Sequence, residues 1–280
     1  MNYTNKTGLP EALFKALSND DYKKEGHFTA SELPTPPQIW VLRNRYKDEI
    51  TEDVSDRIYP LIGSNTHYIL ERAGVKNSLT EERLFANVGL WNISGRIDFY
   101  FADKVLWDYK VTTMYVLIDG VKPEWEAQGN INAYLLDENS FDVNAIKICC
   151  IFRDWSKIQA MKNPNYMSRK QVAVLDVNQW GRTETYDYIL HRINLFVSSE
   201  DLPDNELPEC TAKERWEKPT QYAAKKKDAK RATKLFSEKE AAEKFAEEKN
   251  LVVETRIGES TRCEYYCSVS EFCQQYKKTK

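Results

Sequence analysis

The stretch Gly95–Lys110 constrains the fold more than any other part of the chain. Apolar and polar residues alternate from 96 to 101, the short turn Ala102-Asp103-Lys104 follows, and a second strand-like run extends from Val105 to Val111. Alternation with period two is typical of β-strands, and a short polar turn between two such runs is typical of a hairpin. The sequence therefore predicts an antiparallel β-hairpin here.

The predicted hairpin carries charged residues that suit a metal site. Asp108 and Lys110 are two residues apart, so their side chains project from the same face of the strand, and Asp98 lies on the partner strand. Two carboxylates beside an ammonium group suit a hard divalent cation. Chance placement of surface charges is the alternative. However, Asp108 follows Leu106 and Trp107 on a strand that otherwise looks buried, where a carboxylate needs a partner.

The other elements predict an α/β fold, with a central mixed sheet flanked by helices. We predict strands at about 82–90, 143–152 and 172–177, and helices at about 37–50, 53–72, 123–137 and 179–199. The acidic, proline-broken segment 202–208 indicates a boundary. Beyond it, two strands, a helix opened by a capping box at Ser237-x-x-Glu240 and a last strand predict a small ββαβ module. The predicted parts are an N-terminal arm (1–37), a core (38–208) and this module (209–280).

Composition excludes several classes of protein. The chain has 280 residues, 41% of them hydrophobic, and a net charge of −3, which is typical of a soluble protein with a sizeable core. No apolar run approaches the roughly 20 residues of a membrane span, and no signal peptide opens the sequence. We therefore expect a cytoplasmic protein that does not bind membranes. Neither a Walker A loop nor a glycine-rich dinucleotide motif is present, so no nucleotide-hydrolysing site is expected.

Three of the six cysteines form a cluster near the C-terminus. The spacing Cys263-x3-Cys267-x5-Cys273, together with one remote thiol, is a common way to build a four-cysteine metal site. Cys210, which precedes the module, is the predicted fourth ligand, so the site would join the two ends of the module. Zinc suits four cysteines as well as an iron–sulfur cluster does, and free thiols are a further alternative. The pair Cys149-Cys150, in an apolar strand, is predicted to pack as buried thiols.

A basic run lies in the predicted module and comprises Lys225, Lys226, Lys227, Lys230, Arg231 and Lys234. Such a run is most often a solvated surface, although it could also contact phosphates of a nucleic acid. Trp216 and Tyr222 lie nearby in sequence and could stack on unpaired bases or pack in the core. The small net charge argues against non-specific coating of nucleic acid but permits a local basic groove.

The order of several short motifs resembles a known nuclease family. Ile97-Asp98, nine intervening residues and then Asp108-Tyr109-Lys110 resemble the core of the PD-(D/E)XK nuclease superfamily. Gly63-x-x-x-His67 upstream and Gln128 downstream are similar to the additional motifs of its RecB-type branch. That branch includes phage exonucleases and the AddB-like and CRISPR-associated iron–sulfur nucleases. The resemblance covers roughly residues 30–275 and implies a restriction-endonuclease-like fold, with 38–208 as the nuclease core.

The resemblance implies a role for each matching residue. His67, Asp98, Asp108 and the carbonyl of Tyr109 would bind Mg²⁺ or Mn²⁺, Lys110 would be the catalytic lysine, and Gln128 would hold Lys110 or the scissile phosphate. Glu82 is our candidate for an additional acid that some members place between the histidine and the first aspartate. On residue type alone, a histidine such as His67 on the apolar face of a helix is more often a core residue than a ligand.

The chain departs from the family pattern at two points. The family glutamine is usually followed four residues later by tyrosine, but position 132 is Asn132, and Tyr134 is a weaker candidate. In the iron–sulfur relatives, three C-terminal cysteines and one upstream of the core hold a 4Fe–4S cluster. This chain has no cysteine before Cys149 and has three residues, not two, between Cys263 and Cys267.

The implied activity is Mg²⁺- or Mn²⁺-dependent hydrolysis of DNA phosphodiesters, as an exonuclease in phage DNA recombination or processing. Such an enzyme would act in the host cytoplasm on linear double-stranded or single-stranded DNA ends, with a recombinase or a single-strand annealing protein as a further partner. The alternative is a catalytically silent DNA-binding or assembly subunit. The altered glutamine–tyrosine motif favours that alternative, whereas intact Asp98, Asp108 and Lys110 disfavour it.

Overall fold

The computed structural model describes residues 1–19 and 25–279; residues 20–24, within the predicted arm, and residue 280, in the predicted module, lie outside the described residues. The chain forms two compact units. The sheet unit comprises Met1–Thr35 and Thr51–Asp201, and the cysteine unit comprises Pro36–Ile50 and Leu202–Lys280.

Thirteen strands and ten α-helices form these units within the described residues. The strands are β1 (Asn2–Thr4), β2 (Phe28–Thr29), β3 (Thr51–Asp53), β4 (Leu79–Val88), β5 (Trp91–Tyr100), β6 (Val105–Thr112), β7 (Ala145–Phe152), β8 (Val172–Val177), β9 (Glu217–Lys218), β10 (Gln221–Lys225), β11 (Lys234–Phe236), β12 (Val252–Arg256) and β13 (Glu259–Ser260). The helices are α1 (Glu11–Ser18), α2 (Pro37–Arg45), α3 (Ile58–Glu71), α4 (Val116–Asp119), α5 (Pro123–Glu138), α6 (Lys157–Lys162), α7 (Arg182–Glu200), α8 (Lys239–Glu248), α9 (Thr261–Tyr265) and α10 (Gln274–Lys277), with a 3₁₀ turn at Val54–Arg57.

A six-stranded mixed sheet is the centre of the sheet unit. Strands β5, β6, β7 and β8 lie side by side in that order, and β2 and β4 both pair with β5. The β4–β5, β5–β6 and β7–β8 pairs are antiparallel, whereas β6–β7 and β2–β5 are parallel. Because parallel neighbours need a crossover, α4 and α5 connect β6 to β7. The predicted α/β class, a mixed sheet flanked by helices, is confirmed.

Gly95 lets α5 approach the sheet closely. A Cβ atom at this position would collide with the side chains of Asn132 and Leu135 on α5. Helix α5 begins with Pro123 in its first turn, as predicted, because proline lacks the N–H that a helix start leaves unpaired. The close contact fixes α5 against β5 and so determines where Gln128 projects.

The domain boundaries differ from the predicted ones. Residues up to Thr35 belong to the sheet unit rather than to a separate arm, and α2 belongs to the cysteine unit rather than to the core. The reason is apolar packing, because Ile39 and Leu42 of α2 are buried in one cluster with Leu207 and Val269. A contact between residues so far apart in sequence leaves no local signal.

The cysteine unit contains the predicted ββαβ arrangement. Strand β10 lies between β11 and β12, both antiparallel to it, and α8 lies between β11 and β12 in sequence. The predicted capping box does not form, since α8 begins at Lys239 and the N-cap residue Glu238 makes no side-chain hydrogen bond. The segment between β7 and β8 contains the short helix α6. Within the described residues, no helix has the length and apolar character needed to cross a bilayer.

Candidate active site

Strands β5 and β6 separate at the two aspartates. They pair at Phe99↔Trp107 and Tyr100↔Leu106, and the next position in this register would place Asp98 opposite Asp108. There the Asp98 carboxylate takes the place of a main-chain acceptor, because the backbone N–H of Tyr109 donates to its Oδ2 atom at 2.8 Å. The hairpin therefore opens where it carries its two acids.

Three potential metal ligands converge beside this opening. His67 Nδ1 lies 2.7 Å from Glu81 Oε1 and 3.7 Å from Asp98 Oδ2. The ligand atoms of the three residues all lie within 4.8 Å of one another. Arg96 Nε is 2.9 Å from the other oxygen of Glu81 and holds that carboxylate in place. His67 is not a core residue, since no residue of α3 is buried.

The structure places Glu81, rather than the predicted Glu82, beside the histidine. Glu82 lies in β4, pairs with Ile97 of β5 and is exposed to solvent. Glu81 adopts a left-handed backbone with φ of 54°, which is uncommon for a residue with a long side chain, and its side chain is only 4% exposed. This turn of the backbone directs the carboxylate toward His67. Nothing in the Thr80-Glu81-Glu82 sequence signals it.

A second group of side chains surrounds Lys110. Its ammonium nitrogen lies 2.8 Å from Asp108 Oδ1 and 3.2 Å from Gln128 Oε1. Asp108 is only 7% exposed, and its second oxygen, Oδ2, is buried without a hydrogen-bond partner among the described residues. A buried carboxylate oxygen without a partner is costly, so this atom is suited to a bound cation. Asp108 does not belong to the compact group formed by His67, Glu81 and Asp98.

The electrostatics of the site favour an added positive charge. Burial, followed by the negative charge of Asp108, raises the pKa of Asp98 to about 7, although His67 and the Tyr109 N–H oppose this. The hydrogen bond to Glu81 raises the pKa of His67 above its usual value despite partial burial, and the charge of Asp98 contributes. Added positive charge would therefore relieve the repulsion between the Asp98 and Asp108 carboxylates. A divalent ion would bind to oxygen and imidazole ligands that are already assembled.

Two tyrosines of the predicted site make contacts with other residues of the sheet unit. The backbone N–H of Tyr109 donates to Asp98, and its ring lies 6.4 Å from the His67 ring, while binding of a cation by the Tyr109 carbonyl stays a prediction. Tyr134 packs against Tyr186 on α7, with ring centroids 6.4 Å apart, and burial raises its pKa to about 12. We therefore assign Tyr134 to packing rather than to the site.

The four predicted cysteine ligands line one cavity in the cysteine unit, together with Gln38. The side-chain oxygen of Gln38, which is only 2% exposed, lies 3.6 Å from Cys210 Sγ and 3.4 Å from Cys273 Sγ. Burial raises the pKa of Cys210 to about 12, and it also raises the pKa of Cys263 and Cys267. Without a metal, these three thiols therefore stay protonated at neutral pH.

Charged side chains, those of Glu214 and two arginines, also line the cavity. Arg215 and Arg262 line it, and the buried Arg215 Nε has no hydrogen-bond partner among the described residues. Across the described part of the chain, no three cysteine sulfurs lie within 4.8 Å of one another. Four thiols that line one cavity could hold either zinc or an iron–sulfur cluster. Cys149 and Cys150 lie in β7, but only Cys150 is buried as predicted; Cys149 is half-buried, because successive side chains of a strand point to opposite faces.

The basic run has two parts in the structure. Lys225 forms an ion pair with Glu254, and Lys234 lies 4.9 Å from the centre of the Phe236 ring. The remaining members are exposed between β10 and β11: Lys226, Lys227, Lys230 and Arg231. We name these four residues the basic turn. Trp216, one of the two nearby aromatic residues, packs against Tyr266 with ring centroids 5.4 Å apart.

The chain is similar to the protein in a solved structure named "Crystal structure of SSO0001", with 20% sequence identity and a TM-score of 0.45. The similarity covers 65% of this chain and 83% of that chain. No family model matches the chain, and no curated protein matches it.

Proposed function

We propose that this chain is a Mg²⁺- or Mn²⁺-dependent deoxyribonuclease of the PD-(D/E)XK type, with the restriction-endonuclease-like fold that this implies. The observation that carries the proposal is the convergence of two groups where β5 and β6 separate. One is the potential metal-ligand group of His67, Glu81 and Asp98, and the other is Lys110 with Asp108 and Gln128. A cation site beside a positioned ammonium group is what phosphodiester hydrolysis requires.

Each of these residues has a role in this proposal. Glu81, Asp98 and the His67 ring would bind the cation, and the buried Oδ2 of Asp108, which has no hydrogen-bond partner among the described residues, would be a further ligand. A divalent cation bound there would polarise a phosphoryl oxygen and lower the pKa of the attacking water. Lys110, held by Asp108 and Gln128, directs its ammonium group at the negative charge that develops on the phosphoryl group.

The remaining parts of the proposal concern the substrate and the cysteine unit. We assign the ends of linear DNA as substrate, in phage recombination or processing, with a recombinase or annealing protein as a further partner. The basic turn would contact DNA phosphates, because its four cations are exposed. Cys210, Cys263, Cys267 and Cys273 would hold a 4Fe–4S cluster, with zinc as the alternative.

The test is digestion of end-labelled linear DNA and of closed circular DNA, with Mg²⁺, with Mn²⁺ and with chelator. We expect the linear DNA alone to be degraded, and only with metal. Asp108→Ala and Lys110→Ala should each lower kcat by roughly 100-fold or more, since each removes a group that acts on the transition state. Lys104→Ala is the matched control, because Lys104 lies in the same hairpin but pairs only with exposed Asp142.

Two results would contradict this assignment. Degradation by Asp108→Ala and Lys110→Ala at the wild-type rate would exclude the site. Binding of DNA without cleavage under any metal would instead identify a silent DNA-binding subunit.

A further inference from the structure

One side of α3 continues away from the proposed cation site. Tyr59, Gly63 and His67 are spaced four residues apart, so they follow one another along the same side of the helix. A Cβ atom at Gly63 would meet no atom within 4 Å, apart from the backbone of the helix itself. Tyr59, at the far end, is 56% exposed. This side of the helix is therefore unobstructed at Gly63, between His67 and the exposed ring of Tyr59.

An arginine lies over that ring. The guanidinium carbon of Arg153 is 3.6 Å from the centre of the Tyr59 ring. Among the described residues, no carboxylate lies within ion-pair distance of Arg153, which is exposed. A guanidinium that stacks by its face keeps its N–H groups free at the edge, where they match the oxygens of a phosphate.

The two residues that Arg153 contacts, Tyr59 and Thr112, lie at similar distances along their own elements from residues of the site. Along α3, eight residues separate His67 from Tyr59, which corresponds to about 12 Å. Along β6, four residues separate Asp108 from Thr112, or about 13 Å. The Thr112 carbonyl accepts from the backbone N–H of Arg153 at 2.9 Å. Arg153 thus belongs to the same unit as the reacting centre and lies on the order of 12 Å from it.

We propose that Arg153 binds a phosphate of the substrate strand about two nucleotides from the scissile phosphodiester. Tyr59 is a positioning residue that holds the guanidinium flat, and Gly63 leaves room for the strand to pass along α3. The inference rests on the proposed nuclease function and extends it. The chemical class of the ligand is a nucleic-acid strand, recognised by its backbone rather than by its bases.

The test compares two substrates of different length. The first is a linear DNA oligonucleotide, and the second is thymidine 5′-(4-nitrophenyl phosphate), which has no neighbouring phosphate. Arg153→Ala should raise KM for the oligonucleotide about tenfold and leave kcat almost unchanged, because it removes one charge-assisted contact. It should not alter turnover of the small substrate. Arg153→Lys should restore part of the loss.

Two further variants separate position from charge. Gly63→Leu should fold normally, since leucine favours helices and its Cβ has open space. It should raise KM for the oligonucleotide but not for the small substrate, because the larger side chain would obstruct the strand along α3. Tyr59→Leu should also raise KM for DNA without changing kcat. In chelator, the binding of a fluorescent oligonucleotide should be measured at several salt concentrations. For Arg153→Ala, the slope of log K against log salt concentration should be smaller in magnitude than for the wild type by about one.

The possible outcomes separate this inference from the proposed function. Equal oligonucleotide KM for wild type and Arg153→Ala, with an unchanged salt slope, would overturn the phosphate subsite. An equal loss of kcat/KM on both substrates in Arg153→Ala would also overturn it, because Arg153 would then support the reacting centre itself. If the wild type cleaved neither substrate, the nuclease proposal would fail. Weaker binding of the oligonucleotide by Arg153→Ala in chelator would still support the subsite in that case.

Discussion

Replacing Asp98 with asparagine should make the metal-free protein more stable at pH 8. Burial and the charge of Asp108 raise the pKa of Asp98 to about 7, from its usual value of 3.8. Between these two values the folded chain binds a proton that the unfolded chain has released, so stability falls as pH rises. Above pH 7 the loss of folding free energy caused by ionised Asp98 is complete, and it amounts to up to about 4 kcal/mol at about 1.4 kcal/mol per pKa unit. Asparagine carries no charge, so the variant avoids this cost.

The substitution preserves the local geometry. The side-chain oxygen of asparagine can still accept the N–H of Tyr109, which donates to Asp98 at 2.8 Å. We therefore expect a gain of up to about 4 kcal/mol for Asp98→Asn at pH 8 in chelator, and almost no gain below about pH 3, where Asp98 is protonated in both the folded and the unfolded wild type. For a unit of this size, each kcal/mol corresponds to about 2–4 °C in Tm.

Urea unfolding followed by tryptophan fluorescence is the appropriate assay. Five of the seven tryptophans lie in the sheet unit, so the signal reports mainly on that unit. Added Mg²⁺ should stabilise the wild type by about 2.7 kcal/mol at 100 times its Kd, but should hardly affect Asp98→Asn. Asp119→Asn is the control, because Asp119 is exposed. If metal-free Asp98→Asn were less stable than the wild type at pH 8, or if Asp119→Asn gained as much, the electrostatic reasoning would be refuted.

Three further predictions test the other groups. Glu81→Gln should weaken Mg²⁺ binding at least tenfold in calorimetry, whereas Glu82→Gln should not; equal effects would remove Glu81 from the ligand set. Cys210→Ser should lose metal and any absorption near 400 nm after anaerobic purification, while Cys149→Ser retains both; retention by Cys210→Ser would exclude Cys210 as fourth ligand. Charge reversal of the Lys226-Lys227 pair to glutamate should lower the salt slope of DNA binding by at least about two in chelator. An unchanged slope would make the basic turn a solvated surface.

The hairpin could be predicted because its signals are local. Period-two alternation and a polar turn specify β5 and β6, and spacing alone places Asp108 and Lys110 on one face. The proximity of His67 to Asp98 follows from no local pattern, since they are 31 positions apart, and only the resemblance to the nuclease family predicts it. The structure then brings Nδ1 of His67 to 3.7 Å from the carboxylate.

What could not be predicted depends on backbone conformation and on long-range packing. Alternation along β4 gave no reason to prefer Glu81 over Glu82, because the left-handed φ of Glu81 breaks the period on which such reasoning depends. The position of α2 in the cysteine unit, and with it Gln38 beside Cys210, depends on contacts between residues more than 150 positions apart. Short-range patterns carry no information about such contacts.

The departure from the family motif at position 132 has a steric explanation. Asn132 lies on α5 directly over Gly95, so closely that even a Cβ atom on Gly95 would collide with its side chain. A tyrosine ring is much larger than an asparagine side chain and would have to displace α5 from the sheet. That displacement would also move Gln128, which lies 3.2 Å from Lys110 one turn earlier on the same helix. Asparagine at position 132 is therefore explained by the close packing of α5, and its presence does not favour a catalytically silent protein.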